Sequence, residues 1–433
     1  MMTAQAGAES ARPPALDERN ALAADRARIA DVKAKILELE RSLSFLNEEK
    51  NLLQDRLDAY TYPVLILPSE IVSQIFVHFL PAYPETPPMI GPSSPNVLGQ
   101  LCRKWRDIAL GTPVLWRVIT LSLRNGMRIH QKLRLLESWL QRSRSCLLSI
   151  NIDIGGDSGN VDQELLAHFI LAIAVHSGRW EHLRLHSTSL APPFPPTTAP
   201  LPFLRTLSMS ARLPAAEDSR KTSLITALPT APLLRNLAIA FWGEHSISFY
   251  PWSQLTAFSG HSIMPHQCVD VLGQALSLVH CELFINWEAA GVPQTSRPAI
   301  TLPHLETLIL TGRLHSDISW NFLAIFTLPA LQKFQVAEHL LQRDPVNSLK
   351  SLISRSKCSV QELELYITDS IISPNLYQLA LPITGSLVFG ETLDVVNPWF
   401  VPEEVIPWNS NSHPELSMGA GEDDSEGSSD ESS

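Results

Sequence analysis

One short apolar pattern recurs nine times between Leu147 and Leu365. An apolar anchor is followed after two residues by a second apolar residue, and after one more by a third. The last two alternate, so they lie on one side of a short strand. The triplets are Leu147/Ile150/Ile152, Trp180/Leu183/Leu185, Leu204/Leu207/Met209, Leu234/Leu237/Ile239, Trp252/Leu255/Ala257, Leu278/Cys281/Leu283, Leu305/Leu308/Leu310, Leu331/Phe334/Val336 and Val360/Leu363/Leu365. From Leu183 onward the middle positions are 24, 30, 18, 26, 27, 26 and 29 residues apart. A unit of that size holds one strand and a helix or turn and cannot bury its own apolar row, so neighbours must stack. Helical spacing fills several intervals, at 127–142 (Leu133, Leu136, Trp139, Leu140), 161–177, 267–276 and 346–354. The segment 191–202 is too rich in proline for a helix. The expectation over 120–400 is an α/β solenoid with a curved parallel sheet.

A different period governs 22–60. Leu22, Ile29, Val32, Ile36, Leu39, Leu43, Leu46, Leu53 and Leu57 follow alternating three- and four-residue steps and form one seam on a helix of five heptads. Asp25 and Lys50 interrupt it. So narrow a seam needs a partner: a second copy in a coiled coil, parallel or antiparallel, or a groove elsewhere in the chain. Self-association through 22–57 is one expectation, a folded-back helix the other. Lys50 at a core position weakens a dimer and selects a register. Residues 1–21 show no period and read as a disordered leader. Pro63 ends the helix.

Between these regions, Leu67-Pro68-Ser69-Glu70 opens a helix whose Ile71, Ile75, Phe76, Phe79 and Leu80 form a broad apolar face. Residues 81–96 carry six prolines and read as loop. A second helix is expected where Val97, Leu98, Leu101, Cys102, Trp105, Ile108, Ala109 and Leu110 take helical spacing, ended by Gly111-Thr112-Pro113. Leu115-Trp116 leads into an alternating strand at 118–123.

The Leu-Pro-Ser-Glu-Ile start at 67–71, the Ile75-Phe76 pair, the Leu-Cys-Arg-Lys-Trp-Arg-Asp-Ile-Ala run at 101–109 and the Pro-Val-Leu-Trp close at 113–116 together resemble the F-box, over 63–119. The chain looks most like fungal proteins in which such a box precedes irregular leucine-rich repeats. The resemblance implies a three-helix F-box that docks the Skp adaptor of an SCF-type cullin-RING ubiquitin ligase. It places Leu67, Pro68, Ile71, Ile75 and Phe76 at the contact, with Leu101, Cys102, Trp105 and Ile108 partly joining the helices and partly completing the surface. Glu70 fits better as a helix cap than as a contact. The long proline-rich insert departs from a compact box and puts adaptor affinity in question.

The exposed face of the repeat sheet is the candidate surface for a protein substrate. Arg184, Arg205, Arg235 and Glu306 flank the strand anchors, and Trp242, Trp287 and Trp320 are further anchor candidates; for each the alternative is plain solvated surface or core packing.

Composition narrows the classes. No Lys or Arg follows Lys357 whereas fourteen Asp and Glu do, so the body is near neutral and the net charge of -11 is carried at the end. No concentrated basic patch suits nucleic acid. Five scattered cysteines, with no CxxC pair, suggest neither a disulfide framework nor zinc, and a cytoplasmic or nuclear setting is expected. The longest apolar stretch, 168–175, is far shorter than the roughly 20 residues of a membrane span. GxSxG, HExxH, GxxxxGK(S/T) and GxGxxG are absent, and Gly155-Gly-Asp-Ser-Gly159 reads as a turn. No catalysis, cofactor or metal is expected. The tail at 401–433 ends in acidic low-complexity sequence and reads as disordered; Ser425, Ser428 and Ser429 beside carboxylates are phosphorylation candidates, the alternative being a tail that only solubilises.

The sequence therefore reads as a substrate-recognition subunit with a mixed α and α/β fold: a leader at 1–21, a coiled-coil-like helix at 22–60, an F-box at 63–119, a leucine-rich-repeat-like domain at 120–400 and an acidic tail. The alternative is a repeat scaffold with a degenerate box and no ligase.

Overall fold

The computed structural model describes residues 16–59, 66–81, 83–123, 129–154, 163–187, 199–211, 228, 230–240, 250–287, 299–314, 322–341, 344–367, 374–381, 383 and 385–390. The acidic tail, Pro63, the glycine-rich stretch at 155–159, Trp242 and Trp320 lie outside them. The chain divides into two compact units, Met1–Pro68 and Ser69–Ser433.

In the first unit, helix α1 spans Leu16–Asp58. It begins six residues before the seam, so the stretch expected as leader is helical from Leu16, where no Gly or Pro interrupts. The nine seam residues are 49–68% exposed.

The second unit opens with three helices, α2 (Ser69–Val77), α3 (Leu98–Leu101) and α4 (Arg103–Gly111). There follow β1 (Val118–Ser122), α5 (Ile129–Arg142), β2 (Leu148–Ile154), α6 (Gln163–Ala174), β3 (Trp180–Ser187), β4 (Thr206–Ala211), β5 (Asn236–Ile239) and β6 (Ala257–Ile263). Then come α7 (Pro265–Leu272), β7 (His280–Trp287), β8 (Ile300–Thr301), β9 (Thr307–Leu314), β10 (Phe326–Thr327), β11 (Lys333–Ala337), α8 (Pro345–Ser356), β12 (Glu362–Tyr366), α9 (Pro374–Ala380) and β13 (Ser386–Gly390). The four intervals expected as helical hold α5, α6, α7 and α8. In α8, Pro345 follows Asp344, whose carboxylate accepts the Asn347 N–H at 3.0 Å.

Among the described residues eleven strands form one open parallel sheet in sequence order, β1-β2-β3-β4-β5-β6-β7-β9-β11-β12-β13, while β8 and β10 pair separately. This long parallel sheet is compatible with a solenoid. The pairing is in step with the sequence triplets. Ile119, Ile150, Leu183, Leu207, Leu237, Phe258, Cys281, Leu308, Phe334, Leu363 and Leu387 form one continuous row.

The fifth triplet needs correction. Phe258, not Leu255, is the middle residue, and Leu255 is its anchor. Gly260 occupies the third place because Phe258 fills that volume; a Cβ on Gly260 would stand 3.0 Å from the Phe258 ring. The anchors Leu204, Leu234, Leu255, Leu278, Leu305 and Leu331 are fully buried, as expected of a row covered on every side.

No helix among the described residues is long and apolar enough to cross a membrane.

Candidate functional site

Helix α2 and the turn that follows it carry two apolar stripes. Val72, Phe76 and Leu80, four residues apart, are buried, and Phe76 meets Trp105 of α4 edge-on at 4.9 Å. Ile71, Ile75 and Phe79 repeat the same spacing one residue earlier and are 50%, 49% and 42% exposed. A helix that spends one apolar stripe on its own core and leaves the other in water presents a surface that a partner can cover.

The expected second helix is two. Cys102 takes an extended backbone (φ -155°, ψ 169°), ending α3 and capping α4, and its sulfur accepts the Trp105 N–H at 3.5 Å. The break leaves Leu101 exposed, Ile108 and Trp105 half-buried and Leu110 exposed. Arg106 donates to the Gly99 carbonyl at 2.8 Å across the break. An open groove of about 510 Å³ lies beside these helices, lined by Ile90, Asn96, Arg106, Leu110 and Arg142 among others.

Leu115 and Trp116 then end the helical segment. Both are buried; the Trp116 indole donates to the Ala109 carbonyl at 2.9 Å, meets Trp139 of α5 edge-on at 5.2 Å and lies under the Arg142 guanidinium at 4.6 Å. Trp116 stands three residues before Ile119, so it is also the anchor of the first strand of the sheet. Arg117 pairs with Glu181 and donates to the Leu147 carbonyl at 3.0 Å, tying β1, β2 and β3 together.

The proline-rich insert has a role that the sequence did not disclose. Tyr83 is buried and stacks on His182 of β3 at 4.2 Å, and Tyr83, Pro84 and Thr86 share a small cavity with Ser149, Asn151, Arg184, Thr206 and Ser208. These residues alternate with the core row, so the insert covers the open face of the sheet across β2, β3 and β4. Burial, followed by Arg117, Arg205 and Arg184, drives the His182 pKa down to about 3 and keeps the ring neutral.

Further along that face, Glu282 of β7 sits between Ser259 and Ile309 in the pairing. It is 7% exposed, accepts a hydrogen bond from the Ser259 hydroxyl at 3.4 Å, and burial pushes its carboxyl up to about 7. Two residues on, Phe284 stacks on His261 at 4.4 Å. Towards β12 the face carries Glu362, ion-paired with Lys333 of β11 at 2.9 Å, and Glu364.

The expected residues divide accordingly. Ile71 and Ile75 face solvent, as does Leu101. Phe76, expected at the partner contact, belongs to the interior, because its stripe faces α4; Cys102 and Trp105 hold the helices together. In the first unit, Leu67 is half-buried and Pro68 exposed. Of the substrate-face candidates, Arg184 lies on the sheet face, half-buried beneath the insert. Arg205, Arg235 and Glu306 precede their strands, where their backbones continue the ladder: the Arg235 N–H bonds the Arg205 carbonyl at 3.0 Å. Trp287 is at the end of β7. Glu282 and Phe284 were missed because a lone Glu in a strand carries no motif; only their alternation with Cys281 and Leu283 marks them.

No protein-family model matches this chain, and no curated protein sequence matches it.

Proposed function

We propose that the chain is the substrate-recognition subunit of an SCF-type cullin-RING ubiquitin ligase, an F-box protein with a leucine-rich-repeat-like receptor domain. The observation that carries this reading is the second apolar stripe, Ile71 and Ile75 of α2 with Phe79 in the turn after it, left in water while the other stripe is already packed. Leu101 and Leu110 add apolar surface on α3 and α4. Leu67-Pro68, immediately ahead of α2, completes the family motif. The substrate is a protein, read on the sheet face beyond the insert, from β5 onward, where half-buried His261 and Phe284 present stacked rings. The chain acts by holding two partners together and needs no catalytic group.

The test is capture of the full chain by purified Skp adaptor, comparing wild type with Ile71→Asp/Ile75→Asp and with Leu67→Ala/Pro68→Ala. Binding by wild type and loss of at least tenfold in Ile71→Asp/Ile75→Asp supports the receptor. A folded wild-type chain that does not bind refutes it in favour of a repeat scaffold outside the ligase.

A further inference from the structure

The α1 seam is exposed along its whole length, and its two interruptions are charged: Asp25 and Lys50. In heptad terms Leu22, Ile29, Ile36, Leu43, Lys50 and Leu57 hold the first core position, and Asp25, Val32, Leu39, Leu46 and Leu53 the second. We propose that a second copy of the same helix covers this seam, running antiparallel, in the register that sets Asp25 of each chain against the partner's Lys50.

Charge complementarity selects this arrangement over its rivals. An antiparallel pair faces first-position residues with second-position residues. Placing Asp25 opposite the partner's Lys50 sets Leu22 opposite the partner's Leu53, Ile29 opposite the partner's Leu46, and Ile36 opposite the partner's Leu39. Val32 then faces the partner's Leu43, so every intervening layer is apolar and both breaks in the seam coincide. Two-fold symmetry forms each of these layers twice. Sliding the pair by one heptad sets Asp25 against a leucine, Leu43 or Leu57, and leaves a desolvated carboxylate without a cation. A parallel, in-register pair stacks Asp25 on the partner's Asp25 and Lys50 on the partner's Lys50, two like-charged layers inside the seam.

The flanking positions agree. In the antiparallel register Arg28 lies near the partner's Glu49 and Lys33 near the partner's Glu40, both attractive. In the parallel pair Lys35 near the partner's Glu40 is offset by Arg28 near the partner's Lys33. The seam breaks that weaken any other pairing therefore specify this one.

The test is sedimentation equilibrium of the full chain at micromolar concentration, where a species of twice 48.0 kDa is expected. Lys50→Asp and Asp25→Lys, both on exposed helical surface, should each weaken the dimer at least tenfold, and the double exchange Asp25→Lys/Lys50→Asp should restore it. Orientation is read by oxidative cross-linking of Leu22→Cys and Leu53→Cys chains: a mixture should form a covalent dimer above the wild-type background, and neither variant alone should. A monomeric wild type, including one whose α1 amides are protected from exchange by the rest of its own chain, overturns the proposal. So does a dimer indifferent to Lys50→Asp, failure of the double exchange to restore it, or cross-linking of Leu22→Cys with itself.

Discussion

The two stripes of α2 separate stability from surface, and a pair of substitutions one residue apart measures the separation. Phe76 is 1% exposed and meets the Trp105 ring; Ile75 is 49% exposed. Phe76→Ala removes a buried ring, opens a cavity and forfeits an aromatic pair, at a cost of about 4 kcal/mol. Ile75→Ala forfeits about half of the burial of three carbons, roughly 1 kcal/mol, and recovers part of that through the better helix propensity of alanine. A chain of this length and architecture need not unfold in one step, so the relevant quantity is local opening of the helices. Hydrogen exchange followed by mass spectrometry on peptides spanning 69–111 reads it. Phe76→Ala should raise exchange by about a thousandfold or to the limit set by the segment's own stability, and Ile75→Ala by less than about tenfold. Equal acceleration by both would show that Ile75 is packed, and the argument from an unspent stripe would fail.

Other expectations follow from single positions. The Glu282 carboxyl, raised to about 7 in the folded chain from an ordinary value of 4.5, favours the protonated form, so its contribution to stability is full below about 4.5 and is lost as pH rises towards 7. Glu282→Gln should match wild type near pH 4.5 and be more stable by about 1–2 kcal/mol at pH 8, allowing for solvent screening; a variant less stable at pH 8 contradicts the assignment. Gly312→Ala places a Cβ 2.3 Å from the Ile285 carbonyl oxygen, a backbone atom, so β7 and β9 must separate there. Exchange of amides in 280–287 and 307–314 should rise in this variant, and an unchanged pattern would refute the pairing register.

Much of the sheet is legible because its core row demands apolar residues at fixed offsets. Eight of the nine sequence triplets place their middle residue on the row the pairing shows; the fifth is displaced by three because Leu255 satisfies the pattern both as anchor and as middle. Gly260 hides the correct triplet, since the bulk that the third position usually supplies comes from Phe258. Strand β13, with Leu387 and Phe389 in register, was not read as a repeat. The break at Cys102 was not legible either, because cysteine is not among the usual capping residues and the apolar spacing runs through it unaltered. The split of the α2 face was hidden for a related reason. Two stripes one residue apart make a single broad band in sequence, and only the position of Trp105 decides which is inside. The covering of β2, β3 and β4 by the insert rests on the contact of Tyr83 with His182, about a hundred residues away, which no local pattern encodes.

The double duty of Trp116 has a mechanical consequence. A hinge between two bodies requires a stretch of backbone belonging to neither. Here the turn Pro113–Trp116 ends the helical segment and supplies the first anchor of the sheet, and β1 starts after one further residue, Arg117, whose side chain is itself buried. With a single buried residue between the turn and β1, the backbone there offers no free joint, so a partner docked on α2 as proposed would be held at a set angle to the rungs that follow.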